Sequence, residues 1–413
     1  MKILFVHQNF PGQFLQLAPA MAARGHQVLA LTDEKNNRPS KVEVMRYKTP
    51  VEMDRKPAGL ARAYAEYTER GWMAARGCRA LRDQHSYTPD VIFGHSGWGE
   101  TLFLKEVWPE AKLLVYAELL YQTSGHDVGF DPEISTGTLE SRVTTVARSA
   151  HLIQGLVQAD AGLAPTEYQA GTFPPELRNK LTVIHDGIDT DKVKPAKDAW
   201  LRLPDGRELR EGDEVISFVS RSLEPYRGFM HFMRALPEVM RARPNAQVVI
   251  VGAEGVSYGA PPPDGGSWKA KILTELEGQL DLSRIHFLGR VPYDAYLALL
   301  QLTRVHCYLT VPFVLSWSLT EAMAAGCLIV GSDTEPVREL IKDGENGRLV
   351  PYFDREALEK ALIRALEGDP DAARLKAAAR ATIVRDYDFQ SKTLPRMVEW
   401  VESFGPQTGG DAG

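Results

Sequence analysis

Short apolar runs alternate along this chain with stretches in which apolar residues recur three and four positions apart, the pattern of buried strands separated by helices. In the first half the runs are Ile3–Val6, Val28–Leu31, Val91–Phe93, Leu113–Tyr116 and Leu181–Ile184. In the second they are Val215–Val219, Gln247–Val251, Ile285–Leu288, Val305–Leu309 and Leu328–Val330. None shows the polar alternation of a half-exposed strand, so they predict parallel strands covered on both faces. After the first run come the turn-rich Asn9–Gln13, then Phe14, Leu17 and Met21 on one helical face, with Gly25 as the stop. The chain therefore opens on a βαβ unit. The architecture predicted is two similar α/β halves facing across a cleft.

The polar stretch Thr190–Asp213, with Pro195 and Pro204, separates the halves, giving a first domain over 1–195 and a second over 210–390. Leu394, Met397, Val398, Val401 and Phe404 then form an apolar stripe, so 391–405 is predicted to be a helix that must cover some surface, and the tail 406–413 to be disordered. Gly59–His85 reads as one long helix carrying Arg62, Arg70, Arg76, Arg79 and Arg82 among Tyr64, Tyr67 and Trp72. Two readings stand for it: a solvated face, or a face that meets an anionic membrane surface or acceptor. Tyr121–Gly137 has the length and composition of a mobile active-site segment, and Gly252–Gly266 is too elaborate for a plain connection.

Composition narrows the field. With 413 residues, 44% apolar and 25% charged, and a net charge of −6, this is an ordinary globular chain with no case for nucleic acid as a main partner. No apolar run approaches the ~20 residues of a membrane span, and MKILFV starts a strand rather than a secretory leader. Cys78, Cys307 and Cys327 are odd in number and lack metal spacing; they are expected to be buried thiols in a reducing cytoplasm.

The chemistry concentrates in Val311–Asp333, a strand end, a small-residue helix stopped by Gly326, and a second strand. A bare helix N-terminus at Ser316–Ser318 offers unpaired N–H groups and the positive end of the dipole, so it suits a phosphate. Glu321 could accept hydrogen bonds from a ribose diol beside that phosphate. Ser318-x-x-Glu321 is equally a capping box in which Glu321 only closes the helix start. Arg221 and Arg227 flank a turn into a helix at Gly228, so two permanent cations are expected to converge on the same anion.

In the first half, His95 within Gly94–Glu100 and Glu118 after Leu113–Tyr116 fall at strand C-termini, where open parallel sheets hold ligands. A histidine bonded to its own loop, or a carboxylate capping the next turn, is the plainer reading of each. Asp33 lies at the distance from Gly12 that an NAD-binding acid would have, but the loop lacks G-x-G-x-x-G, which argues against a dinucleotide. Asp189-Thr-Asp191 looks like a metal-binding pair, yet its place in the linker suits a turn cap better.

Taken together these residues resemble the retaining glycosyltransferases of family 4, over nearly the whole chain from MKILFVHQNFPGQF onward. The resemblance implies the B-type fold of two Rossmann-like domains, with the last helix crossing back to the first. It implies a nucleoside-diphosphate sugar as donor and a sugar or lipid-linked sugar as acceptor, in polysaccharide or glycoconjugate biosynthesis. No metal and no cofactor are implied. By it, Arg221, Arg227 and the backbone of Ser316, Trp317 and Ser318 bind the diphosphate, and Glu321 in EAMAAG binds the ribose. Arg290 and Val291 meet the base and Gly12 lies on the acceptor side. His95 and Glu118 are the catalytic pair by the same token, Glu118 standing where the family often has histidine. The family's first donor-site glutamate falls at Phe313, so the donor sugar is not identified. A sugar-nucleotide 2-epimerase and a non-catalytic nucleotide-sugar sensor are the rival readings.

Overall fold

The computed structural model describes residues 1–49, 59–135 and 137–406. The chain divides into two compact units: Met1–Thr123 with Leu139–Asp186 and Gln390–Gly413, and Ser124–Thr138 with Gly187–Phe389.

The first unit is built on β1 (Lys2–Val6), β2 (Gln27–Asp33), β3 (Glu43–Tyr47), β4 (Val91–His95), β5 (Lys112–Tyr116), β6 (Ala161–Ala164) and β7 (Leu181–Val183). They lie in the order β3-β2-β1-β4-β5-β6-β7, every pairing parallel. Because successive side chains point to opposite faces, the apolar runs supply two cores at once. Leu4, Val6, Leu31, Ile92 and Leu113 pack under the helices Ala61–His85 and Leu139–Gln158 through Ala74, Cys78, Leu81, Leu152 and Leu156. Ile3, Phe5, Ala30, Phe93 and Leu114 face the other way, onto Phe14, Leu17 and Met21. The last helix, Leu394–Glu402, completes this second layer with Met397, Val398 and Val401. Its Glu402 carboxylate accepts from Arg24 Nε and from His26 Nε2, both at 2.8 Å. This is the surface the amphipathic stripe required.

In the second unit β10 (Val215–Ser222), β11 (Gln247–Ala253), β12 (Ile285–Gly289), β13 (Val305–Tyr308), β14 (Leu328–Ser332) and β15 (Arg348–Val350) form a parallel sheet ordered β12-β11-β10-β13-β14-β15. It is preceded by a hairpin of β8 (Trp200–Arg202) and β9 (Glu208–Arg210). The helix Trp317–Ala325 is packed on nearly all sides, which is why it is made of Ala322, Met323, Ala324 and Ala325: bulkier residues would not let it approach Tyr308 and Ile329. Both sheets reverse direction beside their first strand, so the turns after β1 and β4, and after β10 and β13, stand where doubly wound sheets bind ligands.

Several expectations need adjusting. The chain passes between units at Thr123–Ser124, Thr138–Leu139, Asp186–Gly187 and Phe389–Gln390; the third of these precedes the 195–210 interval, and Ile188 already packs in the second core. The stretch Tyr121–Gly137 is divided between the units. From Ser124 it belongs to the second unit, where buried Asp131 accepts from His231 Nε2 and Tyr352 Oη, both at 3.1 Å, and Glu133 forms a forked pair with Arg234. Of the tail 406–413, residues 407–413 lie outside the described residues. Cys78, Cys307 and Cys327 are buried free thiols. Among the described residues no helix is long and apolar enough to cross a membrane.

Glu100, after β4, is fully buried; Oε1 accepts from Tyr47 Oη at 2.9 Å and Oε2 has no hydrogen-bond partner. Burial raises its pKa from 4.5 to about 7. Between those values the folded chain holds a proton that the unfolded chain has released, so the group's contribution is present at low pH and lost as pH rises, by up to about 3 kcal/mol. Glu100→Gln should flatten this slope. Denaturant midpoints at pH 5 and pH 8 should differ less in the variant than in the parent, and equal differences would show that Glu100 is ionised throughout.

Candidate functional site

The turn after β10 sets the position of Arg227. Residues Pro225–Arg227 make one tight turn that ends at Gly228, with φ of +65°. A Cβ there would stand 2.4 Å from the Leu309 side chain, so glycine alone allows the turn to lie against the end of β13. Arg227 is thereby buried beside the loop that enters the Trp317–Ala325 helix. Its Nη1 donates to the Val314 carbonyl at 2.7 Å, Thr310 Oγ1 at 3.0 Å and Tyr308 Oη at 3.4 Å. The guanidinium carbon lies 5.5 Å from the Tyr258 ring and 5.6 Å from the Phe313 ring. Among the described residues no carboxylate pairs with it, although only 6% of Arg227 is exposed.

Tyr308 joins this cation to the helix start, since the same hydroxyl accepts from Ser316 N–H at 2.9 Å. The helix mouth is less bare than expected. Ser316 is the N-cap, its Oγ accepting from Ser318 N–H at 3.2 Å and from Ser318 Oγ at 3.0 Å. Trp317 is half-exposed at the first helical position and Ser318 is buried. Arg221 is exposed near the end of β10 and makes no hydrogen bond or ion pair among the described residues.

The capping-box reading of Glu321 fails because Ser316 does the capping. Glu321 turns instead to the helix Tyr293–Leu302, accepting from Tyr293 Oη at 2.8 Å and Tyr296 Oη at 2.7 Å. Burial holds its pKa above the usual carboxylate value, against the two phenol bonds and Lys192, which lower it. Two acceptor sites on the carboxylate remain beyond those bonds. Arg290 and Val291 follow β12 and lead directly into Tyr293, so the two segments expected to meet the base and the ribose adjoin through the tyrosines. Tyr308, Thr310, Tyr293 and Tyr296 were missed by the sequence reading; the only available signal was Tyr293-x-x-Tyr296, which places two phenols on one helical face.

In the first unit Gly12 takes φ of +47°, and a Cβ would meet His7 Nε2 at 2.5 Å. His7, also missed, pins this loop: Nδ1 accepts from Asn9 N–H at 2.9 Å, leaving Nε2–H for Gln13 Oε1 at 3.0 Å. His95 Nδ1 likewise accepts from Gly97 N–H at 3.0 Å, so its proton sits on Nε2. That Nε2 is buried without a hydrogen-bond partner, 3.9 Å from the Glu118 carboxylate. The His95 side chain is 1% exposed and that of Glu118 37%, so Glu118 is the member that faces outward and His95 stands behind it. Burial lowers His7 to about 4 and His95 well below its ordinary value, which keeps both neutral near pH 7.

Asp131, Glu133 and His231 bring ligand atoms within 4.8 Å of one another. Their groups are already committed to Tyr352 and to the Arg234 fork, so the guanidinium holds the place a cation would take. Asp189 caps a turn, its Oδ1 accepting from Asp191 and Lys192 N–H at 3.2 and 3.1 Å.

Two family models match in tandem, the glycosyl transferase family 4 group over residues 24–193 and the glycosyl transferases group 1 over 203–382. A phosphatidyl-myo-inositol mannosyltransferase of Mycolicibacterium smegmatis is 31% identical over 201 residues, covering 48% of this chain and 47% of that protein. Its Mycobacterium tuberculosis namesake is 31% identical over 233 residues, 54% of each chain. This chain thus spans about half the length of the curated mannosyltransferases it matches. A glycogen synthase of M. tuberculosis is 24% identical over 95% of this chain and 92% of its own. Among solved structures, sucrose-phosphate synthase from Thermosynechococcus elongatus superposes with a TM-score of 0.71 at 17% identity, covering 98% of both chains. HepE of Anabaena, solved with UDP and glucose, gives 0.66 at 16%, covering 98% of this chain and 100% of its own. At such identities the likeness establishes the fold, two Rossmann-like units of the glycosyltransferase B type. With that fold and two adjoining family matches, the chain belongs to the family 4 group of glycosyltransferases.

Proposed function

We propose that this protein is a retaining hexosyltransferase that moves a sugar from a nucleoside diphosphate to a hydroxyl of a sugar or lipid-linked sugar acceptor, in polysaccharide or glycoconjugate biosynthesis. The observation that carries the reading is Arg227: a buried guanidinium with no carboxylate partner among the described residues, tied through one tyrosine hydroxyl to a helix N-terminus. A buried cation left uncompensated is costly, and an incoming diphosphate supplies the missing charge.

In this scheme Arg227 and the dipole of the Trp317–Ala325 helix stabilise the charge that grows on the leaving diphosphate, with Ser316 and Ser318 exchanging their mutual bonds for phosphate oxygens. Glu321, held by its two phenols, takes the ribose hydroxyls. The backbone at Arg290 and Val291 meets the base. Glu118, with neutral His95 behind it, and the Gly12 loop serve the acceptor. The acceptor attacks from the face the diphosphate leaves, and the departing phosphate oxygen takes the acceptor's proton. Neither metal nor cofactor enters the scheme. The protein works in the cytoplasm, at the inner face of the membrane. The support for that contact is the Ala61–His85 helix, where half-exposed Trp72 stands with Arg76, Arg79 and Arg82 beside a cavity of about 460 Å³.

Incubation with a panel of UDP- and GDP-sugars should release nucleoside diphosphate from at least one donor, slowly without acceptor, at a rate unchanged by a chelator. Conversion of the donor to its epimer, or binding without release, would replace the transferase reading. Loss of activity on chelation would overturn the metal-free scheme. Arg227→Lys should lower turnover by about 10²-fold, as removal of one oriented charge donor does. A variant with parental kinetics would take Arg227 out of the site. Ser316→Ala should cost about 1 kcal/mol of stability. Glu321→Gln, which spares the cap, should leave melting within a few degrees and weaken donor binding in calorimetry. The reverse outcome for this pair would restore the capping role to Glu321.

A further inference from the structure

Between β11 and the helix Trp268–Glu275 the chain crosses a Gly- and Pro-rich loop in which one carboxylate holds three successive amides. Glu224, in the turn before Arg227, is 1% exposed. It accepts from three consecutive amides: Ser257 N–H at 3.0 Å and Tyr258 N–H at 3.2 Å on Oε1, and Gly259 N–H at 2.9 Å on Oε2. Ser222 Oγ, two residues earlier, meets Ser257 Oγ at 2.7 Å. Gly259 lies so close that a Cβ would be 3.2 Å from Glu224 Oε2 and 3.3 Å from the Tyr226 ring. A buried carboxylate ordinarily seeks a cation, and one lies three residues away. Here the carboxylate is spent on backbone amides, and the cation stays unpaired.

What the clasp delivers is the Tyr258 ring. It packs on Phe313 with centroids 5.0 Å apart and on Tyr226 at 6.2 Å, and it forms one wall of the aromatic slot that holds the Arg227 guanidinium. The other side of that group is fixed through Nη1 alone, by Tyr308, Thr310 and Val314. The orientation of the remaining guanidinium nitrogens therefore depends on the wall. We propose that Glu224 is a positioning residue: through the amides of 257–259 and the Tyr258 ring it aims Arg227 at the diphosphate while keeping its own charge engaged elsewhere. This rests on the reading of Arg227 as the diphosphate-binding group.

The test uses full-length protein and calorimetric titration with UDP and GDP, with melting curves and donor turnover for Glu224→Gln, Tyr258→Ala, Arg227→Lys and the double variant Glu224→Gln/Arg227→Lys. Loss of a charge-assisted clasp should weaken binding of the preferred nucleoside diphosphate about tenfold in Glu224→Gln. The double variant should be no weaker than Arg227→Lys alone, because both changes act on one group. Tyr258→Ala, which keeps the carboxylate, should weaken binding in the same direction and carries the test if Glu224→Gln does not fold. A purely structural Glu224 would lower the melting temperature and leave the affinity of folded protein unchanged. That result, multiplying penalties in the double variant, or parental affinity in Tyr258→Ala, would overturn the proposal. If the parent protein binds neither UDP nor GDP, the diphosphate reading of Arg227 fails instead, and the proposal falls with it.

Discussion

The second unit depends on one uncompensated charge. Arg227 lies inside the protein among two aromatic faces, two hydroxyls and a carbonyl, with no acid among the described residues to balance it. Ring faces and neutral oxygens offset only part of the cost of removing a guanidinium from water. Gly228 lets the turn that carries Arg227 lie directly against Leu309, which keeps the guanidinium in that place. A site that is electrostatically incomplete when empty is selective for an anion by construction, with no need for a large net positive charge on the protein.

The same topology explains why the other site residues fall where they do. Each sheet has its first strand at the centre and winds outward in both directions, so the loops after β1 and β4, and after β10 and β13, emerge side by side at the strand C-termini. His7, Gly12 and His95 come from the first pair, Arg227 and Ser316 from the second. The strands themselves are buried, and the side chains named here stand on the short turns that leave them.

Much of this was legible beforehand. The central strands were, because runs such as Ile3–Val6 and Gln247–Val251 are too apolar for anything but a covered sheet. β3 and β6 escaped for opposite reasons: Glu43 and Arg46 make β3 look like a polar edge, and Ala161–Ala164 carries too little bulk to register as a strand. Arg227, Glu321 and Arg221 were singled out from residue type and position; burial separates them, since strand alternation leaves Arg221 exposed while Arg227 is buried. The bare helix mouth was misjudged because Ser316, two residues before Ser318, could equally be loop or cap. The phenols that organise the site, Tyr308, Tyr293 and Tyr296, read as ordinary apolar positions, since a tyrosine that buries its ring and uses its hydroxyl leaves the same trace in a sequence as one that only packs.

The helix Leu394–Glu402 has a consequence for how the protein comes into being. It supplies Met397, Val398 and Val401 to a core whose other members include Ile3, Phe5 and Met21, and its Glu402 is tied to Arg24 and His26 across 376 residues or more of intervening chain. During synthesis the part of that sheet face which this helix covers stays open until the helix itself has been made, after the second unit. Completion of the first unit's second layer therefore waits on a segment that follows the second unit in the chain.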